Sequence, residues 1–226
     1  MTSALHIAYA TSGEPGSFGG ACRPFIKPFI HHEAERYLHN QETYTLHKQV
    51  KRRFPHCKTL SKGIADLYQA DLVDLFGIAN YDLYCYLPNC IDIFTKKAWS
   101  IPLRSKSDRE VTEAFGKILA SSDRRPRMLQ ADNGTKFLNT TFQRMLTDNI
   151  HWYYTENKEI KAGIVEHFNH TLKTKMPHYF TFKNGPRYID VLQKLVNSYN
   201  ATYCHSIGML PNEVNENNED LVRKQL

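Results

Sequence analysis

What most restricts the fold of this chain is the order in which two hydrophobic periods follow one another along it. Three short apolar runs come first: "YQADLVDLF" (68–76), "YCYLPNCIDIF" (84–94) and "AWSIPLRS" (98–105). Each is too short for a surface helix, and their β-branched and aromatic residues read as strands. At 107–120, "SDREVTEAFGKILA", the period becomes helical. Val111, Ala114, Phe115, Ile118 and Leu119 line one stripe there, and Ser107 with Glu110 has the spacing of a capping box. A strand "RMLQAD" (127–132), a helix "NTTFQRMLTDN" (139–149) and a strand "IHWYY" (150–154) follow. Thr140 and Gln143 offer a second capping box. Two helices, "GIVEHFNHTLKTKM" (163–176) and "RYIDVLQKLVNSY" (187–199), close the pattern. This order predicts an α/β layer structure, a mixed five-stranded sheet with helices on both faces, and not an alternating parallel wind.

The 226 residues suit one compact domain with an N-terminal extension. The expected division is an extension over 1–60, a core over 61–218 and a tail over 219–226. Residues 1 to about 30, rich in Gly, Ser and Pro, are predicted as loop. "HHEAERYLHNQETY" (31–44) reads as a short helix, with Ala34, Tyr37 and Leu38 at helical spacing. No apolar run approaches the ~18 residues of a membrane span, and the first residues do not resemble a secretory signal. The five cysteines (Cys22, Cys57, Cys85, Cys90 and Cys204) are scattered and none forms a CxxC pair. They are expected to be reduced thiols, with neither a zinc module nor a disulfide framework.

The formal charge is +6 and the pI about 9.0. "LHKQVKRRFPHCK" (46–58) carries Lys48, Lys51, Arg52, Arg53 and Lys58 without one acid. Such a run is either a solvated linker or a phosphate-contacting segment that gains affinity by releasing counterions. Composition does not choose between them.

Acids inside apolar patterns are more telling. Asp71 and Asp74 lie within a predicted strand, where an unpartnered carboxylate is costly. They are three residues apart, so only one can join a given face. Asp132, in "MLQADNGTKF" (128–137), ends a strand just before an Asn-Gly turn signal. On the helix at 163–176, Ile164, Val165, Phe168, Leu172 and Met176 gather on one side. Glu166, Asn169, His170 and Lys173 gather on the other.

Asp71 in "YQADLVDL", Asp132 in "QADNGTKF" and Glu166 in "KAGIVEHFNHTLK" resemble the Asp-Asp-Glu triad of retroviral integrases and related transposases. "TYTLHKQVKRRF", "IDIFTKKAWSIPLRSKS", "YIDVLQKLVNSYN" and "SIGMLPNEVN" are most similar to the integrases of Polinton (Maverick) type DNA transposons. The likeness runs from about residue 16 to about residue 218. It implies a ribonuclease-H-like fold and a metal-dependent polynucleotidyl transferase that trims the 3′ ends of transposon DNA and joins them to target DNA. Asp71, Asp132 and Glu166 are then the catalytic residues and the ligands of two Mg²⁺ or Mn²⁺ ions. Asp74 is a structural neighbour, and Asp92 a family acid that is not a ligand.

The same resemblance implies DNA as partner, both element ends and target, with a homo-oligomer to hold two ends and the nucleus as the place of action. Lys48, Lys51, Arg52, Arg53, Lys161, Asn169, His170 and Lys173 are the expected DNA contacts, with Arg124, Arg125, Arg127 and Lys136 extending the basic surface. The chain also departs from the family. His167 and His170 stand where arginines are common, and 33 residues separate Asp132 from Glu166, two fewer than in the retroviral pattern. No zinc-binding module precedes the core, and no small β-barrel or chromodomain follows it. A catalytically inactive, transposon-derived nucleic-acid-binding protein is therefore the alternative reading. A ribonuclease H shares the fold but not the flanking motifs.

Overall fold

The computed structural model describes residues 2–12, 17–18, 31–47, 59, 61–76, 83–122, 124–131, 140–146, 150–154, 162–185 and 187–226. Its centre is a five-stranded sheet. β1 (Leu67–Asp74) pairs antiparallel with β2 (Tyr86–Asp92), which pairs antiparallel with β3 (Ala98–Ser100). On its other side β1 pairs parallel with β4 (Met128–Ala131), and β4 pairs parallel with β5 (His151–Tyr154). The spatial order is therefore β3-β2-β1-β4-β5, with β1 in the middle. The expected mixed sheet, with helices on both faces, is present.

Side-chain alternation divides the sheet into two apolar layers. Tyr68, Ala70, Tyr86, Cys90, Leu129 and Ala131 point to one face. There they meet α4 (Asp108–Ser121) and α5 (Thr140–Met145), whose buried residues include Phe115, Ile118 and Phe142. Leu67, Val73, Leu87 and Ile91 point to the other face. That face is covered by α6 (Gly163–Lys183) and α7 (Ile189–Asn200), through Val165, Phe168, Leu172, Leu192 and Leu195. The stripe read from the sequence in α4 is buried throughout, and in α6 Val165, Phe168, Leu172 and Met176 are buried while Ile164 is half-buried.

Several local expectations need correcting. Residues 2–10 are not loop but α1 (Thr2–Ala10). The Gly/Ser/Pro character begins only after them, and Leu5 and Tyr9, one turn apart, are buried in the α6 layer. The helix expected over 31–44 breaks at Asn40–Gln41 into α2 (His31–His39) and α3 (Glu42–His47). The carbonyl of Gln41 accepts from the N–H groups of Tyr44 and Thr45 and so starts the second helix. At α4 only half of the capping box forms. Ser107 Oγ accepts from the Glu110 N–H at 3.3 Å, but the Glu110 carboxylate accepts from Ser105 N and Oγ at 3.0 and 2.8 Å. The second box rests on Thr140, whose side chain lies outside the described residues. α6 continues past the expected end through Pro177 and stops at Asn184, whose left-handed conformation (φ 51°) caps the carbonyls. The tail forms α8 (Glu219–Gln225), with Val222 buried against Phe94 and Ile207.

The far half of α6 is held by α3. The ring of His178, 3% exposed, lies 4.9 Å from that of His47, and its Nδ1 bonds the Thr174 carbonyl. Burial first, then His47, pulls the His178 pKa below its usual 6.5. Below pH 6.5 the unfolded chain takes up this proton more readily than the folded one. Its contribution to stability is therefore complete above pH 6.5 and is lost as the pH falls. Denaturation midpoints measured between pH 8 and pH 5 should drop on acidification, and the drop should be smaller in His178→Gln.

Candidate active site

The site begins on β1, where period-two alternation puts Gln69 and Asp71 on the same face as Leu67 and Val73. A carboxamide and a carboxylate thus point into an apolar layer, and each is matched by a polar partner. Asp71 lies opposite Asn89 of β2 in the strand register. Its Oδ1 accepts from the Leu72 N–H at 2.8 Å, and its Oδ2 from Asn169 Nδ2 of α6 at 2.5 Å. Asn169 Oδ1 in turn accepts from Asn89 Nδ2 at 2.7 Å. Because an ionised carboxylate only accepts, Asp71 fixes which end of Asn169 faces it, and Asn169 fixes Asn89. Asn89, 1% exposed, is left with Oδ1 unpartnered among the described residues.

Asn169 is therefore not on an open DNA-facing surface, as the helical wheel suggested. It is 7% exposed and joins α6 to the carboxylate of Asp71. Glu166 lies three residues earlier on the same helix face, exposed, in the first turn. Helical geometry thus brings Glu166 to the side of α6 that meets Asp71. On the other flank, β4 ends at Ala131, paired with Ala70, and these two residues immediately precede Asp132 and Asp71. Asp132 itself lies outside the described residues.

Residues 64–158 match the Integrase core domain family. Over that stretch the chain is similar to integrases. Its fold is also that of solved integrase cores. The HTLV-2 integrase catalytic core domain, solved in complex with magnesium, superimposes with a TM-score of 0.58 at 18% identity, covering 69% of this chain and 99% of that one. A chain of a simian T-cell lymphotropic virus intasome, solved in complex with a PP2A regulatory subunit, gives a TM-score of 0.56 at 19% identity, over 77% of this chain and 62% of that one. A transposon-derived protein of Caenorhabditis elegans is 36% identical over 129 residues, 57% of this chain and 45% of the relative. The chain thus spans under half the length of that relative.

Within this integrase-like fold, the other candidate residues fall into three groups. His170 and Lys173 are exposed on α6, beside Glu166. Asp74 and Asp92 are turn-forming acids. Asp74 Oδ1 accepts from the Phe76 N–H at 2.9 Å as β1 ends. Asp92 accepts from Phe94 N, Thr95 Oγ1 and Ala65 N at 2.9, 3.1 and 3.2 Å, and burial pushes its carboxyl above the usual range. It sits in register with Tyr68, three residues along β1 from Asp71, or about 10 Å. Lys48, Lys51, Arg52, Arg53, Lys58, Lys136 and Lys161 lie outside the described residues. Two arginines expected on the basic surface are instead ion-paired: Arg127 with Asp66 at 2.7 Å, and Arg124 with Glu216.

Among the described residues, no three His, Cys, Asp or Glu side chains are grouped to hold a metal ion, and Asp132 is not among them. The donors present fit a hard divalent cation, which takes carboxylate oxygens and water. Each Asp71 oxygen carries one of the hydrogen bonds given above, and a carboxylate has about four acceptor positions in all. Glu166 is open to solvent.

Gln69, Gln130 and Asn89 were missed in the sequence. The usable signal was parity: Gln69 shares its strand face with Asp71, and Gln130 of β4 is its register partner. The two carboxamides meet, Gln69 Nε2 donating to Gln130 Oε1 at 2.9 Å.

Proposed function

We propose that this integrase core joins DNA ends to target DNA as a polynucleotidyl transferase, with Asp71, Asp132 and Glu166 as its acidic triad. The observation that carries the reading is the Asn169–Asp71 bond, which ties the helix bearing Glu166 to the central strand beside the end of β4. The triad would hold two Mg²⁺ or Mn²⁺ ions, and the magnesium complex of the HTLV-2 core supports that choice. Two such ions activate an attacking water or 3′-hydroxyl and stabilise the leaving oxygen. The chain's own contribution is orientation. Asn169 and the Leu72 N–H fix both oxygens of Asp71, so that the carboxylate is set before DNA arrives.

His170 and Lys173, exposed next to Glu166, would meet the phosphates of the DNA end, with Lys161 and the basic segment 46–58 adding contacts. Joining two ends calls for at least two protomers, and the dimeric and trimeric forms of the HTLV-2 core support an oligomer. No helix among the described residues is long and apolar enough to cross a membrane. Action on chromosomal DNA would call for a nuclear location, and the quoted motifs favour a Polinton-type element as its origin.

The test is a strand-transfer assay with pre-trimmed DNA ends and Mg²⁺ or Mn²⁺. Joined products support the enzyme. DNA binding without joining under either metal favours the inactive nucleic-acid-binding protein. A salt titration of DNA affinity examines the basic segment separately. Replacing Lys51, Arg52 and Arg53 with Ala should flatten the slope of log affinity against log salt by up to roughly 0.9 per lost phosphate contact. Equal slopes in wild type and triple variant mean that the segment is a solvated linker.

A further inference from the structure

The N-terminus of α6 has no cap of its own. Its N-cap residue, Ala162, has no side chain able to accept a hydrogen bond, and none is made there. The first N–H groups of a helix need partners, and here they find one across the fold. Gln69 Oε1 accepts from both Ile164 N and Val165 N, each at 3.2 Å. Gln69 is fully buried and Gln130 is 5% exposed. The direction of the Gln69 amide is fixed from both sides: its oxygen must accept from α6, so its nitrogen must donate to Gln130 Oε1.

This network joins three elements at equivalent places. Gln69 lies two residues before Asp71 on β1, Gln130 two residues before Asp132 on β4, and the capped N–H groups belong to the two residues before Glu166. We infer that Gln69 and Gln130 are positioning residues, a buried carboxamide clamp that sets the first turn of α6, and hence Glu166, against β1, which carries Asp71, and β4, which ends one residue before Asp132. This rests on the triad reading proposed above. Asn169 locks the next turn to Asp71, so the two contacts fix both the depth and the rotation of the helix. A plain stability role would also explain a buried hydrogen-bonded pair, so the test must read the position of Glu166.

The variants are Gln69→Met and Gln130→Met, which keep length and remove the amide, with Gln130→Glu as the conservative control that retains an acceptor for Gln69. The first measurement is site-resolved amide exchange on the full chain without metal. Exchange at Ile164 and Val165 should accelerate in Gln69→Met, while the interior of α6 around Leu172 stays protected. The second is Mn²⁺ binding by titration calorimetry, with Glu166→Gln alongside. Gln69→Met should weaken the Glu166-dependent binding by about ten- to a hundredfold, the usual cost of losing an outer support of a ligand. It should have no further effect in the Glu166→Gln background, and Gln130→Glu should restore most of what Gln130→Met loses.

Unchanged exchange in the first turn overturns the clamp. Faster exchange with unchanged Mn²⁺ affinity, where Glu166→Gln does lower that affinity, overturns the positioning role and leaves a helix cap. If Glu166→Gln itself leaves Mn²⁺ binding unaltered, the triad reading fails, and with it the role of the clamp in placing a ligand.

Discussion

Asp71→Asn is expected to abolish DNA joining while the protein stays folded. The substitution removes the charge that a divalent cation needs and changes almost no volume. A loss of at least about 10³-fold in the strand-transfer rate corresponds to about 4 kcal/mol of transition-state stabilisation at ~1.4 kcal/mol per decade. The fold should feel much less. Both Asp71 oxygens now accept N–H groups, from Leu72 and Asn169. An asparagine keeps one acceptor and turns an N–H toward the other donor, at a cost of about 1–3 kcal/mol for one frustrated buried group. Strand-transfer assays beside denaturant unfolding would separate the two effects. Residual joining near the wild-type rate would show that the chemistry lies elsewhere.

The largest expected stability effect belongs to Phe168. It is fully buried on the sheet side of α6, and its ring meets Tyr199 of α7 edge-on at 4.8 Å. It therefore touches both the sheet layer and the neighbouring helix. Phe168→Ala should cost about 3–5 kcal/mol, because the close-packed layer cannot collapse into the space left. That is a large share of the ~5–15 kcal/mol by which a domain of this kind is stable. Phe168→Leu, which refills most of the volume, should cost clearly less. Urea unfolding of the two variants measures the difference, and equal losses would mean that volume is not what Phe168 supplies.

The elements that could be read in the sequence are those in which one period runs without interruption. α4 and α6 show their buried stripes directly, and β1, β2 and β4 announce themselves as apolar runs. Their order was enough to anticipate a mixed sheet layered on both faces. What stayed hidden depends on residues far apart in the chain. Asn169 looks like a surface residue on a helical wheel, because the wheel does not know that β1 and β2 present Asp71 and Asn89 to it. Lys175 reads as a solvated charge yet is buried, donating to Ser198 across to α7. Gln69 reads as a polar interruption of a strand, and only the position of α6 turns it into a cap. α1 was masked by the Gly- and Pro-rich composition that follows it. For the site, the position of Asp71 on the first strand and of Glu166 on a packed helix was legible; that this strand is the central one, and the carboxamides that hold the two, were not.

The N-terminal helices have one more consequence, for how the chain is made. Leu5, Tyr9, Phe18, Ala34 and Leu38 pack in the same apolar layer as Val165, Phe168 and Met176 of α6, and Ser17 Oγ bonds Ser198 Oγ across 181 positions. α1 and α2 therefore leave the ribosome well before the helix that completes their layer. At roughly 5–20 residues per second, α6 emerges on the order of ten seconds after α1. Through that interval the apolar sides of α1 and α2 have each other and then β1 and β2, but not the helix that completes their layer. Slowing translation between α2 and α6 should therefore lengthen the time for which that layer is incomplete and raise aggregation of the nascent chain.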